Sequence, residues 1–334
     1  MSDINKTLED FLEKTVNLNP DRYKRVQGAE ETLSEFIANS DTFKDLYIGV
    51  TPQGSVRQKT IIKPVGEDDE FDVDLLVMLK ENTDWSPADY HKNLATIFKD
   101  SDRYEDITDT RGKTRCVTID YNSDFHVDLV PAIERDGKVY IFNKSTNEEE
   151  CTDGDGYAQW FEQQDAYAGD YLVPVVRLIK YLRDSHNDFE TRSVILTTII
   201  GMQVQSSDNF ENLSDAFVTI MGRLDDFLAE SEEAPIIENP AMPEETFDRD
   251  WTDDNNKSFK ALKKAVGSYN ETLSDTESLE QWQELFGDKL KESKSNVAST
   301  AVGITAPTII SNPAKPWASS TEIPCNLTDL LKKN

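Results

Sequence analysis

The stretch FDVDLLVML, residues 71–79, constrains the fold more than any other part of the chain. Its dense run of branched and aromatic apolar residues is typical of a buried strand. Because side chains alternate across a strand, Asp72 and Asp74 lie on one face, opposite the apolar residues that flank them. Two carboxylates about 7 Å apart on one face repel each other and favour either a solvated edge or a bound cation. The stretch therefore predicts a sheet whose acidic face is open to water or closed by a metal.

A second strand-like run, SDFHVDLVPAI at residues 123–133, carries the same alternation. If this strand lies beside the first, Asp128 completes a cluster of three carboxylates with Asp72 and Asp74. Three hard oxygen donors on rigid strands suit two Mg²⁺ ions whose remaining ligands are substrate phosphates. These three acids are therefore the predicted catalytic and metal-binding residues. We do not include three other polar residues near that face in the predicted set, namely Glu70, Asp124 and His126.

A glycine-serine pair precedes both acidic runs. Gln53-Gly54-Ser55 follows a predicted strand that ends at Val50. A glycine lets backbone N–H groups approach a phosphate, and a serine hydroxyl adds a hydrogen-bond donor. Such pairs are also common in ordinary turns, so the argument depends on the order of the features. A strand, Gly-Ser, a strand with Asp-x-Asp and a later strand with one Asp together make Gln53, Gly54 and Ser55 candidate phosphate-binding residues.

Strand-like runs are confined to the first half of the chain, and helical spacing dominates the second half. The predicted strands cover residues 46–50, 71–79, 103–109, 114–121, 124–131 and 139–142. The predicted helices cover residues 4–18, 20–39, 87–100, 157–187, 191–204, 211–230, 256–273 and 278–292, with acidic connections at 231–254. The pattern predicts an α+β fold in four parts. These parts are N-terminal helices (1–40), an α/β lobe (41–150), an all-helical lobe (151–295) and a tail rich in Ser, Thr and Pro (296–334).

The charge of the chain excludes several classes of partner. With 35 Lys and Arg against 64 Asp and Glu, the 334 residues carry a net charge of −29. Such a surface repels long nucleic acids and anionic membranes, although a local basic pocket can hold a small phosphate ligand. Cys116, Cys151 and Cys325 are far apart, which excludes a clustered cysteine zinc site. Because no apolar run reaches about 18 residues and no secretory h-region is present, we expect a soluble cytoplasmic protein.

The order Gly54-Ser55, Asp72-Val73-Asp74 and Asp128 resembles the signature of the DNA polymerase β-like nucleotidyltransferase superfamily. The sequence around these residues is similar to that of the CD-NTases, the bacterial cyclic-oligonucleotide synthases of anti-phage CBASS signalling. The CD-NTases are relatives of cyclic GMP-AMP synthase and oligoadenylate synthase. QGSVRQKTIIKP at 53–64 and VDLVPAI at 127–133 carry this resemblance. It implies that the α/β lobe is a nucleotidyltransferase core of mixed sheet and helices. It also implies an oligoadenylate-synthase-like helical domain, N-terminal helices that brace both lobes, and an active site in the cleft between the lobes.

The resemblance continues into the helical half. VVRLIKYLRD (175–184) resembles the family helix whose lysine contacts the nucleotide triphosphate, which implies that role for Lys180. A solvated surface charge is the alternative for this lysine. TRSVILTTII (191–200) resembles the next helix and implies a phosphate contact for Ser193, whose alternative is to cap that helix. NPAMPEETFDRDW, at 239–251, is similar to the connection that follows in the family.

The resemblance implies that NTPs are joined into a cyclic di- or trinucleotide second messenger, with release of pyrophosphate. Two Mg²⁺ ions are the implied cofactors, with Mn²⁺ as a substitute, and ATP is the first NTP expected. The implied partners are a CBASS effector that responds to the nucleotide and a regulator such as a HORMA/AAA+ pair. No zinc-ligand insert is present, and the net charge is strongly negative. Both features argue against activation by double-stranded DNA or RNA.

Three rival interpretations fit the same residues. The first is a nucleotidyltransferase that modifies a protein, a small molecule or an RNA end. The second is a catalytically silent scaffold that binds NTPs, and the intact set of three acids argues against it. The third is a structural cation site, which predicts metal-dependent melting without NTP turnover.

Overall fold

The acid-bearing strand lies in a seven-stranded mixed sheet in the computed structural model, which describes residues 4–66, 70–121, 125–247, 256–273 and 278–291. The strands are β1 (Tyr47–Gln53), β2 (Phe71–Leu79), β3 (Thr108–Asp109), β4 (Val117–Asp120), β5 (Phe125–Arg135), β6 (Lys138–Asn143) and β7 (Glu148–Thr152). Hydrogen bonds give the order β1-β2-β5-β4-β3, while β6 pairs with the far end of β5 and with β7. β2 and β5 run parallel, and the other pairs are antiparallel.

One face of this sheet is a dry core. Val73, Leu75 and Val77 of β2, together with Val127 and Leu129 of β5, are each at most 1% exposed. Burying one such side chain contributes roughly 1.5–3 kcal/mol. A slip of one residue in either strand would turn its acids into this core. The apolar pattern therefore fixes the register, and the register fixes the acids on the opposite face.

The helices divide between two hydrophobic cores. They are α1 (Ile4–Phe11), α2 (Pro20–Asn39), α3 (Gly54–Arg57), α4 (Pro87–Lys99), α5 (Gly154–Tyr167), α6 (Leu172–His186), α7 (Ser193–Gly201), α8 (Leu213–Glu230), α9 (Lys257–Thr272) and α10 (Leu279–Phe286). Leu33 of α2 and Leu94 of α4 are buried in the core beneath the sheet. Leu178 of α6 and Phe217 of α8 belong to a second core built mainly from helices.

The two N-terminal helices join different cores. Leu8 of α1 is buried in the helical core, and Leu33 of α2 is buried in the sheet core. A π-helical turn, Leu12–Val16, lies between the two helices. α2 begins sharply because Asn19 accepts a hydrogen bond of 2.8 Å from the backbone N–H of Arg22, with proline in the first helical position. The chain thus crosses from one core to the other within a few residues.

Some elements differ from the sequence prediction. The helix predicted over 157–187 is two helices, α5 and α6, because Gly169 and Asp170 adopt positive φ angles of 62° and 66° between them. The strand predicted over 103–109 is a 3₁₀ turn followed by the two residues of β3. β7 is a strand rich in Glu, which is a poor strand former, and the sequence did not predict it. Two further strands lie where connections were predicted, namely β8 (Glu238–Asn239) and β9 (Met242–Thr246).

In the described part of the chain, every helix is too short or too polar to cross a bilayer. The described residues belong to one compact unit, Met1–Ser295. The predicted tail, 296–334, lies outside the described residues, as do Asp124 and the end of the 239–251 motif. The division of the chain into four parts stays a prediction.

Candidate active site

Four strands place one polar residue each in a single row across the outer face of the sheet. Asp74 of β2 is paired in register with Gln53 of β1 and with Asp128 of β5. Thr118 of β4 follows beside Asp128. The row exists because the apolar neighbours of these residues point into the core. Asp72 lies two residues back along β2 on the same face, so Asp72, Asp74 and Asp128, here called the acid triad, come together as the sequence predicted.

Two side chains hold the Asp128 carboxylate. Thr118 Oγ1 donates a hydrogen bond of 2.5 Å to Oδ1, and Lys113 Nζ lies 3.1 Å from Oδ2. Burial, the largest single effect, lowers the pKa of Lys113, but the charge and hydrogen bond of Asp128, with smaller contributions from Cys116 and Asp72, together outweigh it, so the pKa is raised. Lys113 is therefore a protonated cation beside the acid triad. The sequence analysis missed this residue because it lies in a loop that carries no recognisable motif.

Asp74 is the acid with the least favourable surroundings. Burial raises the pKa of its carboxyl to about 6, with repulsion from Asp128 and Asp72 as further causes. Lys113 opposes this shift without cancelling it. The acid triad thus carries negative charge that the protein only partly compensates. Its donors are all carboxylate oxygens, the ligands that a hard divalent cation prefers, so the residues present fit such an ion.

A different set of possible metal ligands lies nearby on the same face. Among the described residues, one group of His, Cys, Asp or Glu side chains has three ligand atoms within 4.8 Å of one another, and it consists of Glu70, Asp120 and His126. His126 Nε2 contacts Glu70, and His126 Nδ1 lies 3.8 Å from Asp120 Oδ1. The acid triad does not reach that mutual distance in this structure. The sequence analysis set Glu70 and His126 aside and missed Asp120, which only the β4–β5 register places opposite His126.

The glycine-serine loop packs directly against the acid triad. β1 continues to Gln53, and Gly54 then opens α3 with a positive φ of 57°. A Cβ added to Gly54 would lie only 2.6 Å from Asp74 Oδ2, so a larger residue here would displace the carboxylate. The Ser55 carbonyl accepts a hydrogen bond of 2.8 Å from the N–H of Thr60, which closes the loop. Glycine is therefore required here both for its φ angle and for the approach to Asp74.

Helix α6 holds the other side of this loop. Lys180 is only 2% exposed, and its Nζ donates to the Thr60 carbonyl at 3.2 Å and to Thr60 Oγ1 at 3.0 Å. The alternative of a solvated lysine is therefore wrong. Burial, followed by the positive charge of Arg183, lowers the pKa of Lys180 to about 7. One turn earlier, Arg177 Nε donates to the Lys59 carbonyl at 2.8 Å, so α6 grips the loop at two points.

Ser193 is the first residue of α7, where its Oγ accepts a hydrogen bond of 3.1 Å from Arg183 Nη1. The N-cap position is held by Arg192, so the alternative that Ser193 caps the helix is wrong. The Arg183 contact links Ser193 to α6, the helix that carries Lys180. Lys180 and Ser193 thus lie on two helices, α6 and α7, that this hydrogen bond connects.

All the predicted site residues line one cleft of about 860 Å³. They are Gln53, Gly54, Ser55, Asp72, Asp74, Asp128, Lys180 and Ser193. Glu245 of β9 and Asn239 of β8 line the far side of the same cleft. Glu245 is fixed there by hydrogen bonds of 2.6 Å from Asn239 Nδ2 and 2.7 Å from Thr152 Oγ1. A cleft of this volume holds a small ligand such as a nucleotide, and its lining contains both the acid triad and the buried Lys180.

Comparison with known proteins identifies sequence relatives of this chain. Residues 1–165 match the family model described as the Second Messenger Oligonucleotide or Dinucleotide Synthetase domain, SMODS. A c-di-GMP synthase of Roseivirga ehrenbergii is 26% identical over 286 residues, which cover 74% of this chain and 73% of that relative.

Solved structures agree on the fold. The CD-NTase CdnG of Bradyrhizobium diazoefficiens, in complex with GTP, has a TM-score of 0.71 at 17% identity, covering 89% of this chain and 100% of that chain. The CdnC:HORMA-deltaN complex of E. coli MS115-1 has a TM-score of 0.63 at 17% identity, covering 85% and 97%. The predicted fold class, a polymerase-β-like α+β fold, is confirmed.

Proposed function

We propose that this chain is a Mg²⁺-dependent nucleotidyltransferase, because residues 1–165 match the SMODS family model and the fold is that of the CD-NTases. It joins NTPs into a cyclic di- or trinucleotide second messenger and releases pyrophosphate. One observation carries the proposal: the row Gln53, Asp74 and Asp128 crosses three strands and shares one cleft with the buried Lys180. Carboxylates and a buried ammonium in one cleft match the two ends of a metal-bound triphosphate.

The acid triad would hold the metal. The CD-NTases use a divalent ion, and we assign two Mg²⁺ ions here, with Mn²⁺ able to replace them. Asp72 and Asp74 would bind both ions, and Asp128 would bind the ion next to the attacking hydroxyl. Bound there, the ions would supply positive charge for in-line displacement at the α-phosphate and for the departing pyrophosphate.

The remaining site residues would position the nucleotide. Gly54 and Ser55 lie beside Asp74, where their backbone and hydroxyl groups would bind the β- and γ-phosphates from the sheet side. Lys180 and Ser193 would bind the same phosphates from the helical side. Asp128 would accept the proton of the attacking 2′- or 3′-hydroxyl, because Lys113, which donates to its Oδ2, is a long side chain that can move away.

The substrates and partners follow from the relatives. One relative is named a c-di-GMP synthase, and one solved neighbour contains GTP. We therefore add GTP to the ATP expected from the sequence. The product would activate a CBASS effector, and the HORMA protein bound to CdnC supports a HORMA/AAA+ regulator. We place the reaction in the cytoplasm, where NTPs are available.

The proposed domain division follows the two hydrophobic cores. Residues 41–150 would be the nucleotidyltransferase core and residues 151–295 the helical domain. Residues 1–40 would brace both, which is supported by the burial of α1 in the helical core and of α2 in the sheet core. The tail would begin at residue 296.

The test is product formation by the full chain. We would incubate the protein with all four labelled NTPs and Mg²⁺, add phosphatase, and identify the resistant product by mass spectrometry. The double variant Asp72→Asn with Asp74→Asn should make no product while remaining folded. Asp84→Asn with Asp136→Asn is a matched control, since it removes two exposed acids outside the cleft and should retain full activity.

The outcomes separate the rival functions. Unchanged NTP turnover in the Asp72 and Asp74 double variant would contradict the proposed mechanism of nucleotidyl transfer at the acid triad. A labelled protein, small molecule or RNA end would indicate a transferase for another acceptor. Absence of Mg²⁺-dependent pyrophosphate release would indicate a silent scaffold, and metal-dependent melting without turnover would indicate a structural cation site.

A further inference from the structure

Strand β4 places a hydroxyl group beside the acid triad. Val117 and Ile119 point into the sheet core and are fully buried, so Thr118 between them lies on the outer face. There it is paired in register with Asp128 of β5. Thr118 is 6% exposed and Asp128 is 9% exposed. The register therefore brings a hydroxyl that water barely reaches next to one carboxylate of the acid triad.

The two oxygens of Asp128 have different partners. Oδ1 accepts a hydrogen bond of 2.5 Å from the Thr118 hydroxyl, and Oδ2 accepts one of 3.1 Å from Lys113 Nζ. Thr118 lies on a strand and is buried, whereas the Lys113 side chain is 43% exposed and extends from a loop. An exposed ion pair contributes little, but a buried acceptor that loses its donor is costly. A cation can therefore replace Lys113 at Oδ2 more easily than anything can replace Thr118 at Oδ1.

Fixing Oδ1 is important because a carboxylate group turns easily. The last torsion of an Asp side chain has a broad, two-fold energy profile, so without a partner either oxygen can face the cleft. The Thr118 hydroxyl removes this freedom by binding one oxygen, and Oδ2 then stays on the side where Lys113 contacts it. Losing the hydrogen-bond partner of a metal-ligating carboxylate typically costs roughly 10–100-fold in metal affinity or activity.

Threonine suits position 118 for two reasons. Its β-branched side chain favours a strand, and its hydroxyl supplies the donor. Valine would keep the shape and lose the donor, and serine would keep the donor and lose the branch. The Cys116 thiol also interacts with Asp128, but an S–H group is a weaker donor than a hydroxyl. Substitutions at position 118 can therefore separate the hydrogen bond from the stability of the strand.

We propose that Thr118 is a positioning residue for Asp128 in nucleotidyl transfer. Its hydroxyl holds Oδ1 while a divalent ion displaces Lys113 from Oδ2, so the carboxylate meets the ion without turning. This role rests on the proposed function, because Asp128 acts in the reaction only if the acid triad carries it. The effect of Thr118 on metal affinity is measurable without any turnover.

The first test measures Mn²⁺ binding to the full chain without nucleotide, by electron paramagnetic resonance of the free ion. Thr118→Val should weaken binding by at least about tenfold, because the Asp128 carboxylate then turns freely. Thr118→Ser restores the donor and should bind Mn²⁺ within about twofold of the wild type. Thr108→Val is the matched control, since it removes a threonine hydrogen bond of 2.6 Å on β3, outside the lining of the cleft, and should match the wild type. Circular dichroism checks that each variant is folded.

The same substitution in the Lys113→Met background separates two explanations. If Thr118 orients Asp128 itself, Thr118→Val should again weaken Mn²⁺ binding by about tenfold relative to Lys113→Met alone. If the loss disappears without the lysine, Thr118 only limits the hold of Lys113 on Asp128, and the proposal is overturned. Equal binding by Thr118→Val and the wild type also overturns it, as does an equal loss in Thr118→Ser or in the Thr108 control. Absence of Mn²⁺ binding by the wild type overturns it as well.

The second test follows product formation at saturating Mg²⁺. Thr118→Val should lower kcat by about tenfold or more and change KM for the NTP little, because Asp128 is assigned to the ion at the attacking hydroxyl. Thr118→Ser should restore kcat. A raised KM with unchanged kcat would assign Thr118 to NTP binding and overturn its positioning role. If the wild type makes no product, the proposed function fails, and the Mn²⁺ titrations still decide whether Thr118 positions Asp128.

Discussion

Ionisation of a carboxyl that lies between two other carboxylates is unfavourable unless a cation is bound, and Asp74 is in that position. Its folded pKa of about 6 lies above its ordinary value of 3.8. The fold therefore disfavours the ionised form, and this cost is present above about pH 6 and is relieved as the pH falls toward 4. Sequence alternation predicts the shared face of the three acids. It does not predict the size of this shift, which depends on the β2–β5 register and on burial.

Asp74→Asn should stabilise the protein in EDTA. At about pH 7.5 the free energy of unfolding should rise by about 1–2 kcal/mol, less than the full pKa shift implies because cleft water screens the charge. The gain should nearly disappear at about pH 3, below the ordinary pKa of 3.8, where both states of the wild type are mostly protonated. Urea unfolding at both pH values measures it, with Asp136→Asn as the exposed control. A less stable variant in EDTA at neutral pH would contradict the assigned pKa.

Lys113 competes with any metal for the acid triad, because its Nζ is 3.1 Å from Asp128 Oδ2. Lys113→Met should therefore tighten Mn²⁺ binding by about fivefold, the equivalent of about 1 kcal/mol for a partly exposed ion pair. Manganese electron paramagnetic resonance at about pH 8, where Asp74 is ionised, measures the free ion. Lys138→Met, an exposed lysine far from the cleft, is the control. Weaker binding in Lys113→Met would mean that this lysine supports the metal site.

Lys180 should take up a proton when a triphosphate binds. With a pKa of about 7 it is mostly neutral at about pH 8, and a bound polyanion would raise that pKa toward its ordinary value. Calorimetric titration with a non-hydrolysable NTP, in two buffers of different ionisation enthalpy, gives the number of protons absorbed. Lys180→Met should abolish the uptake that the wild type shows. Equal uptake by the two proteins would place the proton on another group.

At the scale of elements, the sequence predicts long helices and strands with a regular apolar pattern, and it does not predict the short strands. The apolar runs of β2 and β5 and the spacing of α8 are long enough to stand out. β7, β8 and β9 are short and rich in Glu, so only tertiary pairing makes them strands. Lys113 and Glu245 lie on such short elements or loops, which is why the sequence identified the acid end of the cleft but not these two residues.

The loop between β1 and α3 depends on Gly54. Gly54→Ala should cost about 1 kcal/mol for its positive φ, and its Cβ would displace the Asp74 carboxylate. We therefore expect a small loss of thermal stability together with loss of Mn²⁺ binding. Gly28→Ala is the matched control, because no atom lies within 4 Å of a Cβ in mid-helix and the change should stabilise α2 by about 0.5–1 kcal/mol. Normal metal binding by Gly54→Ala would contradict the close packing of loop and acid.

At the scale of the whole molecule, two hydrophobic cores meet at the active-site cleft. Hydrogen bonds from α6 hold the loop of the sheet lobe: Lys180 donates to the Thr60 carbonyl, and Arg177 donates to the Lys59 carbonyl. Helical periodicity predicts that the residues of α6 are helical, as part of one longer helix over 157–187. It does not predict that the Lys180 ammonium is buried, because the burial comes from residues 120 positions away in the chain. The resemblance of VVRLIKYLRD to a family helix supplied that residue instead.

The net charge of −29 predicts how salt affects stability. Even if every one of the 35 basic residues were paired, acids would remain in excess, and their mutual repulsion destabilises the compact state. Raising NaCl from about 0.05 M to about 0.5 M shortens the screening length from roughly 14 Å to 4 Å, which should raise the free energy of unfolding by about 1–3 kcal/mol. Urea is the suitable denaturant, because guanidinium is itself a salt. Ion pairs such as that of Arg135 with Glu81, at 2.6 Å, oppose the trend, since salt weakens them. A fall in stability with salt would show that such pairs outweigh the net repulsion.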